Sequence, residues 1–218
     1  MLITTGPTYE KIDPVRFIGN FSSGKMGYAI AEELADNGAH VVLISGPTSQ
    51  QTTHSNIERI DVVSAKEMYQ ATVERFSDCD GGIMTAAVAD FTPLDPMDKK
   101  VKRGKENYSI ELTPTKDIAA SLGQLKTDKQ FLVGFALETN DEDFNAKLKL
   151  EKKNLDFIVL NSLNDKGAGF QHDTNKISII NNKGTAKRFD LKLKSEVAKD
   201  IVNELIDFVE NNSSTVSF

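Results

Sequence analysis

Small, hydroxyl and cationic residues crowd one short stretch, Gly19-Asn20-Phe21-Ser22-Ser23-Gly24-Lys25-Met26-Gly27. It falls between a strand-like start, Leu2-Ile3-Thr4-Thr5, and a helical pattern from about Met26 to Asn37. Backbone N–H groups converging where a helix opens make a phosphate-sized nest, and the positive end of the helix dipole favours an anion there. Lys25 adds a full charge. Gly19 to Lys25 fits G-x-x-x-x-G-K, the first seven positions of a Walker A loop, whose eighth is a Ser or Thr that holds magnesium. Met26 stands in that place and cannot. The stretch therefore reads as a phosphate binder other than an ordinary P-loop, with simple capping of the helix by Ser22 or Ser23 as the alternative.

Further groups invite chemistry. Ala86-Ala87-Val88-Ala89-Asp90 follows a buried strand, and small side chains at a strand's carboxyl end let a planar base approach the backbone. Asp90 there could hold a ribose hydroxyl or a magnesium-bound water, or merely cap a helix. Lys99, Lys100, Lys102, Arg103 and Lys105 form either a solvated loop or a lid over a triphosphate. Lys149 and Lys153, four apart, share a helix face, which most often is plain surface charge. Gly6 to Arg16 lies where a Rossmann phosphate loop would sit but lacks G-x-G-x-x-G, so it gives an NAD-type site no support. His40, His54, His172 and Cys79 are scattered without triad or metal-ligand spacing. The expectation is chemistry with no covalent protein nucleophile and no zinc.

The elements that must position these groups alternate between strand-like and helical patterns, which predicts an α/β fold with a largely parallel sheet. Strands are predicted at Val41–Ser45, Ile57–Val63, Gly82–Thr85, Tyr108–Leu112, Phe131–Ala136 and Phe157–Leu160. Helices are predicted at Ala65–Phe76, Asp117–Leu125 and Asp141–Lys153, the last with Phe144 and Leu148 one turn apart. Ile177–Ile180 and the segment around Phe189 read as a hairpin, and Val197, Ile201, Leu205 and Val209 as the stripe of a last helix from Ser195 to Glu210. One domain over 1–210 is expected, with 91–107 as a flexible basic lid and 211–218 as a disordered tail. The first strand starts at once, as in a minimal stand-alone protein or a domain cut from a longer chain.

The bulk numbers narrow the classes. The 218 residues are 39% hydrophobic and 27% charged, an ordinary globular composition. A net charge of −6 argues against a general nucleic-acid surface. One cysteine excludes an intramolecular disulfide, and no stretch has the length of a membrane span or the layout of a signal peptide. A cytoplasmic protein is expected, without nucleic-acid or membrane partners.

In order along the chain, Gly6-Pro7-Thr8-x-Glu10-x-Ile12-Asp13-Pro14-Val15-Arg16 and Asn20-x-Ser22-Ser23-Gly24-Lys25-Met26-Gly27 resemble the opening of the phosphopantothenoylcysteine synthetase family. In many bacteria this is the C-terminal half of a bifunctional coenzyme A biosynthesis protein. The match continues through Ala86 to Phe91, Lys100-Val101-Lys102-Arg103, Lys116-Asp117-Ile118, Val133-Gly134-Phe135-Ala136-x-Glu138-Thr139 and Lys149-x-x-x-Lys153-x-x-Asp156. Thr115-Lys116 departs from the Asn-Pro often found there. The resemblance implies a Rossmann-like fold, with helices on both faces and a C-terminal β-hairpin and helix, and a homodimer. It further implies that the carboxylate of 4′-phosphopantothenate attacks the α-phosphate of CTP, releasing pyrophosphate. Cysteine then attacks the acyl-cytidylate, releasing CMP and forming an amide.

The residues it assigns are Asn20 on the acyl-cytidylate and Lys100 on the phosphates. Ser22, Ser23, Gly24, Lys25, Met26, Gly27, Ala86, Ala87, Val88, Asp90, Lys116, Asp117, Ile118, Phe135, Lys149 and Lys153 are assigned to CTP. Mg²⁺ accompanies the triphosphate, with its protein ligands unassigned. The family's flavin-dependent decarboxylase half is absent from the sequence, so no decarboxylase activity is expected, although a full-length protein could carry that domain in fusion. The competing readings are a non-catalytic Rossmann-type nucleotide-binding module and a P-loop phosphotransferase, which Met26 disfavours.

Overall fold

A computed structural model describes residues 1–104, 107–138, 142–162 and 172–213. In chain order the elements are β1 (Leu2–Thr5), β2 (Tyr9–Lys11), β3 (Phe17–Gly19), α1 (Lys25–Asp36), β4 (Val41–Ser45), β5 (Ile57–Asp61), α2 (Ala65–Phe76) and β6 (Gly81–Met84). They continue with β7 (Phe91–Pro93), β8 (Leu112–Pro114), α3 (Ile118–Leu125), β9 (Phe131–Glu138), α4 (Glu142–Lys152) and β10 (Phe157–Ser162). The chain then closes with β11 (Thr174–Asn175), β12 (Ile177–Asn181), β13 (Ala186–Arg188), β14 (Lys192–Leu193) and α5 (Lys194–Ser213).

Eight strands form one sheet in the order β13-β12-β10-β9-β6-β1-β4-β5. β10 through β5 pair in parallel, while β12 and β13 add an antiparallel hairpin edge. From β1 the chain winds out to β4 and β5, then returns to β6 and runs the other way through β9 and β10. That reversal makes β1/β6 the switch point of a Rossmann-like sheet, where carboxyl ends of strands open a crevice.

The pleat sorts the core by alternation. Ile3, Leu43, Ile83, Val133 and Val159 face one layer, packed with Ile30 and Leu34 of α1 and Val197, Ile201 and Leu205 of α5. Leu2, Ile44, Leu132, Ile158 and Ile180 face the other, under Met68 and Phe76 of α2, Leu122 of α3 and Ala146 and Leu150 of α4. Local signals start the helices. Ser64 and Glu67 form a capping box on α2, and Asp117 accepts from Ala120 N–H as the N-cap of α3.

Several expectations are corrected. On α4 the sheet-facing pair is Ala146 and Leu150, while Phe144 and Leu148 are 64% and 49% exposed. The apolar spacing was there, but the phase belongs to the smaller pair against β9 and β10. In α5, Val209 is 39% exposed and the helix runs on to Ser213, three residues past its predicted end. The stripe is instead widened by the buried Ala198 and Val202. Thus 211–213 are helical rather than tail; residues 214–218 lie outside the described residues, as do Lys105, Thr139 and Asp141.

The predicted strand Tyr108–Leu112 is displaced to Leu112–Pro114, where β8 pairs with β7. That ribbon has no sheet beneath it, so hydrophobic alternation could not fix its register. The proposed lid is also tied down in mid-course. Val101 N–H donates to Asp13 Oδ2 at 3.1 Å, and Arg16 Nη2 donates to Val101 O at 3.0 Å. Asp13, whose side chain is fully buried, further accepts from the Val15 and Arg16 N–H groups and pairs with the Arg16 guanidinium. That guanidinium, with the three N–H donors, holds the Asp13 carboxyl well below the usual carboxylate range despite its burial.

Candidate functional site

The Gly19–Gly27 stretch is built differently from a P-loop. In a P-loop the glycine-rich turn follows the first strand directly. Here the antiparallel β2–β3 ribbon intervenes, and Gly19 ends β3. Gly24 is the N-cap of α1 at φ 75°, a left-handed conformation open to glycine, with no side chain capping the helix. The capping alternative for Ser22 and Ser23 is therefore corrected. The first-turn N–H groups of α1 are left for another acceptor, while the Thr5 hydroxyl (to Gly24 O, 3.0 Å) and the Thr48 hydroxyl (to Ser23 O, 2.7 Å) hold the turn. Gly27 lets α1 press on the sheet: a Cβ there would lie 2.3 Å from Thr5 Oγ1 and 2.5 Å from Thr85 Oγ1.

Two adjacent cavities open at the carboxyl ends of β1, β6 and β9. The first, about 160 Å³, is lined by Ser22, Ser23, Gly24, Lys25, Met26, Gly27, Ala86, Ala87 and Phe135 from the predicted set. The second, about 400 Å³, is lined by Ala86, Val88, Asp90, Lys116, Asp117, Ile118, Phe135, Lys149 and Lys153. Ala86 and Phe135 belong to both and form the partition. Residues expected to make one CTP site thus fall on two sides of the β6–β9 edge, one served by α1 and the other by α3 and α4.

The second cavity carries the exposed charge. Lys153 Nζ bonds Asp117 at 2.9 Å, and Lys116 Nζ lies 4.6 Å from the centre of the Tyr69 ring. Burial pushes the Asp117 carboxyl up, but the Ala120 N–H and Lys153 outweigh it and leave its pKa lowered. Asp90 caps no helix; its carbonyl accepts from Thr115 N–H at 2.9 Å and its exposed side chain lines the cavity. Among the described residues no three His, Cys, Asp or Glu side chains cluster for a metal.

Asn20 lines neither cavity but bridges toward them, its Nδ2 donating to Ala87 O at 2.9 Å. Lys100 stands apart, in a separate concavity with Arg16, Val101, Lys102, Arg103 and Tyr108. The Gly6–Arg16 motif proves to be scaffolding. The Thr8 hydroxyl accepts from Ala89 N–H at 3.0 Å, and buried Glu10 accepts from Ala65 N–H at 2.8 Å, at the start of α2. Asp156 likewise holds Lys126 and the Leu132 N–H at the opposite end of the sheet.

Sequence reading missed Thr5, Thr85, Asn161, Asn175 and Lys194, all lining the first cavity. Asn161, the polar residue ending the buried run Phe157–Leu160, offered a signal; it accepts from Asn175 Nδ2 at 3.0 Å. Lys194 offered none, being one lysine in an alternating Leu191-Lys192-Leu193-Lys194 run.

A doubly wound sheet with a capless glycine turn and two lysine-lined cavities at its switch point defines a Rossmann-like protein. The chain belongs to the family of DNA/pantothenate metabolism flavoprotein C-terminal domains, whose model matches residues 1–209. It is 54% identical over 96% of its length to a cysteine/cysteine sulfinic acid decarboxylase of an unknown prokaryotic organism, covering 58% of that protein. It is 47% identical over 94% of its length to the coenzyme A biosynthesis bifunctional protein CoaBC of Haemophilus influenzae, covering 50% of that protein. The crystal structure of the C-terminal domain of a CoaBC protein superposes with a TM-score of 0.81 at 41% identity, covering 96% of both chains. The chain spans about half the length of the curated relatives it matches. Among the described residues no helix is long and apolar enough to cross a membrane.

Proposed function

We propose that this domain is a phosphopantothenate–cysteine ligase of coenzyme A biosynthesis, activating 4′-phosphopantothenate with CTP and joining the acyl-cytidylate to cysteine. The observation that carries this reading is the pair of cation-bearing cavities meeting at Ala86 and Phe135. A nucleotide and an acyl phosphate need adjoining pockets, with charge neutralised on the phosphates between them. The CoaBC likeness over nearly the whole chain supports the same substrates.

In this reading the α1 turn (Ser22 to Gly27) and the cavity of Asp90, Lys116, Lys149 and Lys153 share the CTP. Asn20, tethered to Ala87, hydrogen-bonds the acyl phosphate, and the basic loop brings Lys100 onto the phosphates. The exposed carboxylate of Asp90 would hold Mg²⁺ beside the phosphates, where the ion would supply neutralisation of their charge. The chain works as a cytoplasmic homodimer. Val15, Phe17, Phe91, Leu94, Tyr108 and Leu112, all exposed on the β2–β3 and β7–β8 ribbons and the loop between them, form the apolar face that a second copy covers. Purified protein given 4′-phosphopantothenate, cysteine, CTP and Mg²⁺ should release pyrophosphate. A folded sample releasing none above a no-enzyme control would sink the proposal.

A further inference from the structure

Lys25 and Lys194 open α1 and α5, and both line the first cavity. The positive end of a helix disfavours a cation, and here two cations share one small cavity. Lys194 is only 8% exposed and its Nζ donates to His172 O at 2.6 Å. Burial pushes its pKa down, the charge of Lys25 pushes the same way, and Asp173 partly opposes both.

Asp173 is the anion that makes this tolerable. Its carboxylate pairs with Lys25, and that bond, with the charge of Lys25, lowers its pKa. Its carbonyl accepts from Lys194 N–H at 2.9 Å, so the residue sits beside both lysines. Yet the Asp173 side chain is 73% exposed, against 37% for Lys25. An exposed carboxylate on a half-buried ammonium is held weakly and returns to water at little cost.

We infer that Lys25 and Lys194 form a phosphate receptor inside the first cavity and that Asp173 is its resident stand-in, displaced from Lys25 when a ligand's phosphate enters. Lys194 is then a phosphate-binding residue and the Lys25–Asp173 pair a built-in competitor that sets affinity. The inference deepens the ligase reading by placing the polyphosphate on the α1/α5 side of the partition. A phosphate differs from Asp173 in presenting three oxygens to both ammonium groups and to the uncapped N–H groups of α1.

The test is calorimetric binding of inorganic pyrophosphate, and separately of CTP, to the full chain. Asp173→Asn should tighten both about threefold to fivefold, the range an exposed ion pair spans. The gain should vanish in a Lys25→Met background, because the two residues act through one contact. Lys194→Met should weaken both at least about tenfold, as expected when a buried charge contact is lost, while Lys194→Arg stays within about threefold of the wild type. The inference is overturned if Asp173→Asn binds no tighter or if its gain survives in Lys25→Met. It is equally overturned if the Met and Arg variants at 194 behave alike, or if the wild type binds neither anion. Should Lys194→Met lack a cooperative melt, Asp173→Asn, at an exposed position, decides alone. No turnover enters these measurements, so a wild-type chain that binds both anions but releases no pyrophosphate sinks only the ligase reading.

Discussion

The layered sheet and the ribbon arm beside it obey different rules. In the sheet, Leu2, Ile3, Leu43, Ile44, Leu132 and Val133 are fully buried, and alternate residues face opposite helix layers. In the arm, made of β2–β3, β7–β8 and the basic loop, large apolar side chains remain exposed and order comes from polar ties. Those ties are Asp13 on three backbone N–H groups, Glu10 on α2 and Thr8 on Ala89. A body sealed by burial leaves its switch-point crevice rigid. An arm fixed by a few hydrogen bonds can carry cations such as Lys100 without a core of its own.

The contrast breaks most visibly in the body. Leu132→Ala leaves a cavity between β9 and the α2/α3 layer and should cost about 3 kcal/mol, lowering Tm by roughly 6 to 12 °C. A calorimetric scan showing no shift would mean that this layer repacks freely. In the arm, the largest effect should fall on catalysis. Lys100→Gln should leave Tm unchanged and lower kcat about a hundredfold, more than it raises the KM for CTP. Near-normal kcat would return the basic loop to solvated surface.

Asp13 sharpens the comparison through pH. Its folded pKa is depressed, so its contribution is complete above about pH 4, the usual carboxylate range, and is lost as pH falls below that through the depressed value. Amide exchange at Val15, Arg16 and Val101 should therefore accelerate in acid before the β1–β6 amides do. Asp13→Asn should bring the faster exchange to neutral pH; equal protection in both proteins would remove Asp13 as the tie. The subtlest test is Phe91→Ser, whose readout is assembly rather than activity. At half exposure it should change stability by no more than about 0.5 kcal/mol, yet shift sedimentation toward monomer if the arm is the dimer face.

Sequence alone determined most of the body. Val41–Ser45 and Ala65–Phe76 have their predicted bounds, because a continuous β-branched run and a helical apolar spacing are local signals that tertiary packing reinforces. The turn that opens α1 at Gly24 was equally legible, since a helical pattern starts directly after it. Tertiary structure decided the rest. The three-residue strands of the arm have no core to imprint a period, so β2, β3 and β7 left no pattern. The phase of α4 was set by whichever pair met the sheet, and Phe144 lost to Ala146. The division of one motif set into two cavities depended on β6 and β9 being neighbours. Lys194, 169 residues beyond Lys25 in number, reached the same cavity only because α1 and α5 pack on one face of the sheet.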